Sequence, residues 1–506
     1  MIALLLFGSF FLFLGLGIPV AFALGLSAVV TLVTTDGFQV LDVVPSVMFP
    51  SMSSGTLLAI PFFILAGIVM QYTGISQRLV DLAFLIFGRL RHGLAAVTII
   101  SAFFFSAISG SGPATVAAIG AILIPALVRN GYQKKHAVSL VAASGSMGIV
   151  VPPSIAFIIF AVVAAEFGSI SISRLFIAGI VPGIIMAFAF FIAALFVPRV
   201  RELAGLPVRA KTGAEAGAGS ASTAAGSDSA GNGGSGDGAA GDSAAAGKTQ
   251  LLTTNGKAAS ASSGSSGSGV GTVDPTVTDH HDGGFGGFMS ALIKAIPGLL
   301  IPVIILGGIY GGIFTPTEAG AVASVYALVV GVFVYRELTW KDMPKVFLES
   351  GVSTAVIMFI VGVASLFSYV ITVEGVADRI STAVLGVTDN KYLILAVITI
   401  ILLIVGAFVD AISAFYLFIP ILVPILIGVG VDMTTIGVFM TVNLAIGLFT
   451  PPVGLNLYVG AGIGKIKLEE VARGIMPFLI CAIIALLLIT YIPAISNWLP
   501  DLLGVG

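Results

Sequence analysis

Two short polar breaks interrupt long apolar stretches of this sequence, and both could bind an ion or a polar solute. The first, Ser109 to Pro113 (SGSGP), lies inside the apolar run 93–128. The second, Asp410 to Ser413 (DAIS), lies inside the run 391–428. Backbone freed at such a break must be buried in protein or line a wet cavity. The hydroxyl, carboxylate and carbonyl oxygens at the breaks suit a hard cation such as sodium.

A Gly-x-x-x-Pro-Pro signature follows each break, as Gly148 to Pro153 (GIVVPP) and as Gly447 to Pro452 (GLFTPP). The glycine lies 37 residues after Ser111 in one case and 37 residues after Asp410 in the other. Because proline removes a backbone donor and breaks a helix, each signature predicts an unwound stretch with free carbonyls.

The candidate ligands are the oxygen-bearing residues and glycines at these four interruptions. We assign one sodium site to Ser109, Gly110, Ser111, Gly145 and Gly148, and a second to Asp410, Ser413, Asn443, Gly447 and Thr450. Substrate contacts are assigned to Ser111, Gly112, Pro113, Thr115, Pro152, Asp410, Ser413 and Pro451. Asp410 could instead be a helix N-cap, and Asn443 an interhelical hydrogen-bonding residue, so two roles stay open for each.

The composition requires a membrane protein to carry these sites. Of 506 residues, 58% are hydrophobic and only 9% are charged, and the mean hydropathy is +1.13. A soluble domain carries roughly 25% charged residues. The composition excludes a cytosolic enzyme and a nucleic-acid binder, and the single cysteine excludes a disulfide framework.

The chain divides into two membrane halves, 1–204 and 289–506, around a Gly/Ala/Ser-rich segment at 205–288 that we expect to be a disordered linker. Each half is predicted to contain a helical hairpin (about 93–128 and 391–428) and a broken helix (about 135–167 and 434–464). Arms of about 15 residues are too short to span, so the hairpins should be re-entrant. Basic residues bracket the first hairpin on both sides, whereas the second is flanked by Thr388 to Asn390 and by Asp432, so the halves should be inverted repeats. The other predicted helices lie near 2–15, 18–34, 46–72, 172–198, 291–313, 317–335, 346–372 and 475–499.

At these residues the chain resembles the large membrane subunit of tripartite ATP-independent periplasmic (TRAP) transporters. The matching stretches cover nearly the whole chain outside the linker. They are Ile60 to Gly67 (IPFFILAG), Gly110 to Val116 (GSGPATV), Gly148 to Ser154 (GIVVPPS), Gly307 to Gly320 (GGIYGGIFTPTEAG), Phe408 to Asp410 (FVD) and Asn443 to Asn456 (NLAIGLFTPPVGLN).

The resemblance implies an all-α polytopic protein of the bacterial or archaeal cytoplasmic (inner) membrane, with the linker on the cytoplasmic side. It implies a sodium-coupled importer that moves a small carboxylate by an elevator motion. The implied partners are a small four-helix membrane subunit and a periplasmic solute-binding protein. Na⁺ would be the coupling ion and would bind at the hairpin tips and the unwound segments.

Other functions are possible for the same architecture. A stand-alone sodium/carboxylate carrier of the divalent-anion type would have the same hairpins without needing a binding protein. An intramembrane serine protease would need a base beside Ser111, but all four histidines are predicted to lie in loops or the linker. A passive channel is disfavoured by paired breaks and a buried Asp.

Overall fold

The computed structural model describes residues 2–88, 90, 92–197 and 285–505, and all regular structure in those ranges is helical. The predicted linker lies outside the described residues except for 285–288, which begin a helix. Its predicted disorder therefore stays a prediction. Residues of the two membrane halves belong to one compact unit.

Ten α-helices are described in the first half. They are α1 (Ile2–Gly15), α2 (Val20–Asp36), α3 (Val43–Met52), α4 (Ala59–Tyr72), α5 (Ile75–Phe87), α6 (Gly93–Ser109), α7 (Gly112–Arg129), α8 (Lys134–Gly145), α9 (Ile155–Ala164) and α10 (Ile172–Leu195). Short 3₁₀ turns cover Phe38–Asp42, Gly55–Leu58 and Ser146–Ile149.

Ten more α-helices are described in the second half. They are α11 (Phe285–Tyr310), α12 (Pro316–Val329), α13 (Met343–Val373), α14 (Val376–Val387), α15 (Lys391–Phe408), α16 (Ala411–Gly428), α17 (Met433–Gly447), α18 (Leu455–Gly464), α19 (Leu468–Tyr491) and α20 (Ala494–Leu502). A π-helical turn at Val330–Val334 extends α12. Nine helices in the described ranges are long and apolar enough to cross a membrane.

Two predicted helices are interrupted in the structure. The expected helix 46–72 is divided into α3 and α4, because Pro50 lies in the last turn of α3 and Ser53, Ser54 and Gly55 favour a turn. The expected helix 475–499 ends at Tyr491 and restarts as α20. Proline disfavours helical geometry in the residue that precedes it, and Ile492 precedes Pro493.

The hairpin arms are longer than the sequence suggested. Helices α6 and α7 have 17 and 18 residues, and α15 and α16 have 18 each. At 1.5 Å per residue an 18-residue arm is about 27 Å long, close to the ~30 Å hydrocarbon core. Arm length therefore does not distinguish re-entrant hairpins from crossing helices, and re-entry stays a prediction that rests on the flanking charges.

Polar contacts connect the first half to the second at separate places. Between α4 and α12, the Ser324 hydroxyl donates to the Phe62 carbonyl at 2.7 Å. The Arg174 guanidinium on α10 donates to the Thr434 hydroxyl at 2.9 Å and pairs with Asp501 near the C-terminus. A continuous apolar core packs residues of both halves against one another.

Candidate functional site

The tip of the first hairpin is a compact ring of oxygens. Gly110 ends α6 with φ +60°, a left-handed conformation that glycine adopts without steric cost. The chain then turns through the extended Ser111 into α7. The Ser109 and Thr115 hydroxyls lie 2.8 Å apart, and Thr115 donates to the Ser111 carbonyl at 2.8 Å. The Ser109 hydroxyl also lies 3.2 Å from that carbonyl.

The first broken helix packs directly against this tip. A Cβ built on Gly148 would lie 2.5 Å from the Ser111 carbonyl oxygen, and one built on Gly145 would lie 3.2 Å from the Gly112 carbonyl oxygen. A Cβ on Gly110 would lie 3.2 Å from the Pro153 carbonyl oxygen. Gly148 thus lies beside Ser111, where glycine is needed because backbone meets backbone, while Gly145 lies against the adjacent Gly112 and the Val116 side chain.

The tip of the second hairpin is built around Asp410. One carboxylate oxygen, Oδ2, accepts from the Ile412 and Ser413 amides, both at 3.0 Å. The other, Oδ1, accepts from the Ser413 hydroxyl at 2.6 Å. Asp410 is therefore the N-cap of α16, the structural role that the sequence left open beside ligand binding.

The second broken helix meets the hairpin about one turn before the tip. A Cβ on Gly447 would lie 2.5 Å from the backbone of Gly406, and the Gly454 amide donates to the Ala407 carbonyl at 3.0 Å. Within the described residues, no hydrogen bond joins Asp410 to Asn443, Gly447 or Thr450, the other residues assigned to the second sodium site. The structure thus brings the first predicted set together more closely than the second.

Ser144 and Asn443 occupy matching positions, each four residues before the glycine of its signature. Both are fully buried, and neither the Ser144 hydroxyl nor the Asn443 Oδ1 has a hydrogen-bonding partner. A buried polar atom without a partner costs about 1–3 kcal/mol. Oxygens that have no protein partner fit an ion or solute that binds there, and hydroxyl, amide and carbonyl oxygens are suitable ligands for Na⁺.

Asn456 is a candidate site residue that the sequence analysis missed. It is fully buried at the start of α18, and its Nδ2 donates to the Ala142 carbonyl on α8 at 3.1 Å. Its Oδ1 has no partner and lies 3.1 Å from the position of a Cβ on Gly112. Asn456 thus connects the first hairpin tip to the second broken helix. An amide in an otherwise apolar helix start was the available signal.

The prolines and the helix ends differ between the two halves. Pro152 is buried, whereas Pro451 is half-buried, as are Ser111 and Pro113 at the first tip. No side chain caps α7, while the Asp410 carboxylate already occupies the first turn of α16. The positive end of a helix dipole attracts anions. The start of α7 is therefore the more favourable of the two helix ends for an anionic group.

A profile of the family described as "Tripartite ATP-independent periplasmic transporter, DctM component" matches residues 7–495, which include both tips and both broken helices. The chain belongs to this family. DctM-family proteins are permease subunits rather than enzymes, and membership implies secondary transport with a small membrane subunit and a periplasmic binding protein. The suggested protease function is thereby excluded.

Two relatives and one solved structure illustrate the similarity. The chain is 37% identical over 97% of its length to the isethionate TRAP transporter permease protein DctMQ of Oleidesulfovibrio alaskensis, and it spans 65% of that protein. It is 35% identical to the C4-dicarboxylate TRAP transporter large permease protein DctM of Pseudomonas aeruginosa, covering 96% of this chain and 95% of that one. The fold is similar to the crystal structure of the Alcanivorax borkumensis YdaH transporter, with a TM-score of 0.55, 14% identity and coverage of 94% and 90%.

Proposed function

We propose that this DctM-family permease imports a small carboxylate-type solute across the cytoplasmic (inner) membrane, driven by sodium. A periplasmic binding protein delivers the solute, and a small four-helix membrane subunit completes the transporter. The two halves act as inverted repeats, and the hairpins and broken helices move as one elevator body. The observation that carries this proposal is the oxygen-lined contact between the first hairpin tip and the first broken helix.

That contact has the chemistry of a sodium site. The Ser109 and Thr115 hydroxyls and the Ser111 carbonyl lie within hydrogen-bonding distance of one another. Gly148 allows the unwound backbone to approach the same carbonyl. The unpartnered Ser144 and Asn443 oxygens mark the corresponding position in each half. A bound cation would replace hydrogen bonds within the tip by ion–oxygen contacts and so order it.

The start of α7 supports an anionic substrate. Pro113 lies in the first turn of this helix and no side chain caps it. The substrates in the names of the two relatives, a C4-dicarboxylate and isethionate, are both organic anions. We therefore assign the anionic group of the substrate, a carboxylate in the proposed solute, to the N-terminal turn of α7, beside Ser111 and Gly112. Asn456, which lies against Gly112, would donate to or accept from the solute.

Sodium supplies the driving force in this proposal. Each sodium ion that moves inward down a 100 mV potential releases about 2.3 kcal/mol, in addition to its concentration gradient. A monoanion that enters with two sodium ions, or a dianion such as a C4-dicarboxylate that enters with three, carries one net positive charge inward, so the membrane potential favours its uptake.

Uptake into proteoliposomes tests the proposal. The permease is reconstituted with its small subunit, and a radiolabelled C4-dicarboxylate or isethionate is added on its binding protein. We expect uptake to need both an inward sodium gradient and the binding protein. Uptake that is unchanged when potassium replaces sodium would refute the coupling. Sodium-driven uptake without the binding protein would instead indicate the stand-alone carrier.

A further inference from the structure

An open cavity of about 600 Å³ lies at the corner where α18 ends and α19 begins, and none of its lining residues belongs to either hairpin. Its volume falls within the range of about 300–1,000 Å³ that is typical of small-molecule sites. Its lining combines apolar and charged side chains, including Tyr458, Lys465, Ile466, Lys467, Leu468 and Glu470. The proposed transport function uses none of these residues.

Lys465 has an unusual backbone at this corner. It ends α18 in the left-handed conformation, with φ 49° and ψ 51°, a position at which glycine is preferred. The adjacent Gly464 is needed for packing, since a Cβ on it would lie 2.5 Å from Val138. A lysine in this conformation carries a backbone cost that glycine would avoid. A role for its ammonium group would explain the lysine.

The cavity lining carries two lysines and one glutamate, a net positive charge. Within the described residues, the side chains of Lys465 and Lys467 form no ion pair and no hydrogen bond. Helix α8, which begins with Lys134 and Lys135, packs against the same corner, since a Cβ on Gly474 of α19 would lie 2.9 Å from the Lys135 carbonyl oxygen. Basic residues concentrate at the cytoplasmic ends of membrane helices, where anionic lipids attract them.

We propose that this cavity binds the headgroup of an anionic phospholipid of the cytoplasmic leaflet, of the phosphatidylglycerol type. Lys465 and Lys467 bind the phosphate. Glu470 accepts hydrogen bonds from the headgroup hydroxyls, which explains an acid in a basic site. Tyr458, Ile466 and Leu468 contact the glycerol backbone and the first part of the acyl chains.

The test variant is Lys465→Gly combined with Lys467→Ser. Glycine suits the left-handed position, and serine is a better N-cap for α19 than lysine, so both helix ends should be retained. The matched control is Lys294→Gln combined with Lys341→Gln, which removes the same charge from exposed lysines that do not line the cavity. Thermal unfolding of the full-length proteins in detergent verifies that each is folded.

Native mass spectrometry then measures binding of phosphatidylglycerol and phosphatidylcholine to each protein. We expect the cavity variant to bind phosphatidylglycerol roughly 10- to 30-fold more weakly than the wild type, since two lysine contacts are lost. The control should bind it like the wild type, and phosphatidylcholine should bind weakly to all three. Equal phosphatidylglycerol binding by the wild type and the cavity variant would overturn the proposal. So would equal binding of the two lipids to the wild type, or displacement of the lipid by inorganic phosphate.

Discussion

Replacing Gly148 by alanine should disrupt the first hairpin tip. The added Cβ would lie 2.5 Å from the Ser111 carbonyl oxygen, 2.6 Å from its carbon and 2.8 Å from the Gly112 nitrogen. All three are backbone atoms, so no flexible side chain can rotate away. The tip would have to move by about 0.9 Å or more to restore an ordinary non-bonded contact.

This movement should affect both stability and coupling. Overpacking of this kind costs about 1–3 kcal/mol of unfolding free energy. Displacing a ligand carbonyl by almost 1 Å can cost far more in function, up to about 100-fold. We therefore expect the sodium concentration that gives half-maximal uptake to rise about tenfold or more in Gly148→Ala, with a lowered unfolding temperature.

The assay is sodium-dependent uptake in proteoliposomes, with thermal unfolding in detergent as the stability measurement. Gly351→Ala is the matched control, because Gly351 lies within α13 and no atom lies within 4 Å of its Cβ position. Alanine should stabilise that helix slightly, by up to about 1 kcal/mol, and leave uptake unchanged. Wild-type sodium dependence in Gly148→Ala would refute the assignment of a sodium ligand to this contact.

Three other substitutions test separate parts of the structure. Asp410→Asn should keep the N-cap and the unfolding temperature but weaken sodium-dependent uptake. Asp410→Ala should weaken uptake and also lose about 1 kcal/mol of stability. Wild-type uptake by Asp410→Asn would show that Asp410 is an N-cap only. Asn456→Ala should lower both uptake and stability, the latter by about 1–3 kcal/mol, because the buried Ala142 carbonyl loses its donor; unchanged thermal unfolding and uptake would contradict this. Arg78 pairs with Glu337 and lies 3.8 Å from the Tyr335 ring centroid, so Arg78→Gln should cost about 1–2 kcal/mol in thermal unfolding. The control is Arg379→Gln, because Arg379 is exposed and follows Gly375 by the same spacing as Arg78 follows Gly74. It should have little effect on thermal unfolding. Equal losses of stability in both variants would show that the Arg78–Glu337 ion pair is not the cause.

The sequence alone identified the class of protein and the places where its helices break. Few charges and long apolar runs leave no soluble alternative. Clustered Gly, Ser and Pro at the first tip and paired prolines in each broken helix favour an interruption, whereas single prolines such as Pro182 and Pro477 lie inside continuous helices. Local chemistry of this kind needs no tertiary contact, so the hairpins near 93–128 and 391–428 and both broken helices could be located. The prediction of one continuous helix at 46–72 was wrong, because the apolar residues on both sides suggested a helix through the turn at Ser53–Gly55.

Only the tertiary structure decided which of these breaks meet. Contacts between segments hundreds of residues apart depend on how helices pack, and periodicity carries no information about that. The Ser111 carbonyl faces Gly148, whereas Gly447 faces Gly406 rather than Asp410. Asn456 became a candidate site residue only once the structure placed it against α8 and Gly112, because one buried amide in an apolar helix has no distinctive spacing.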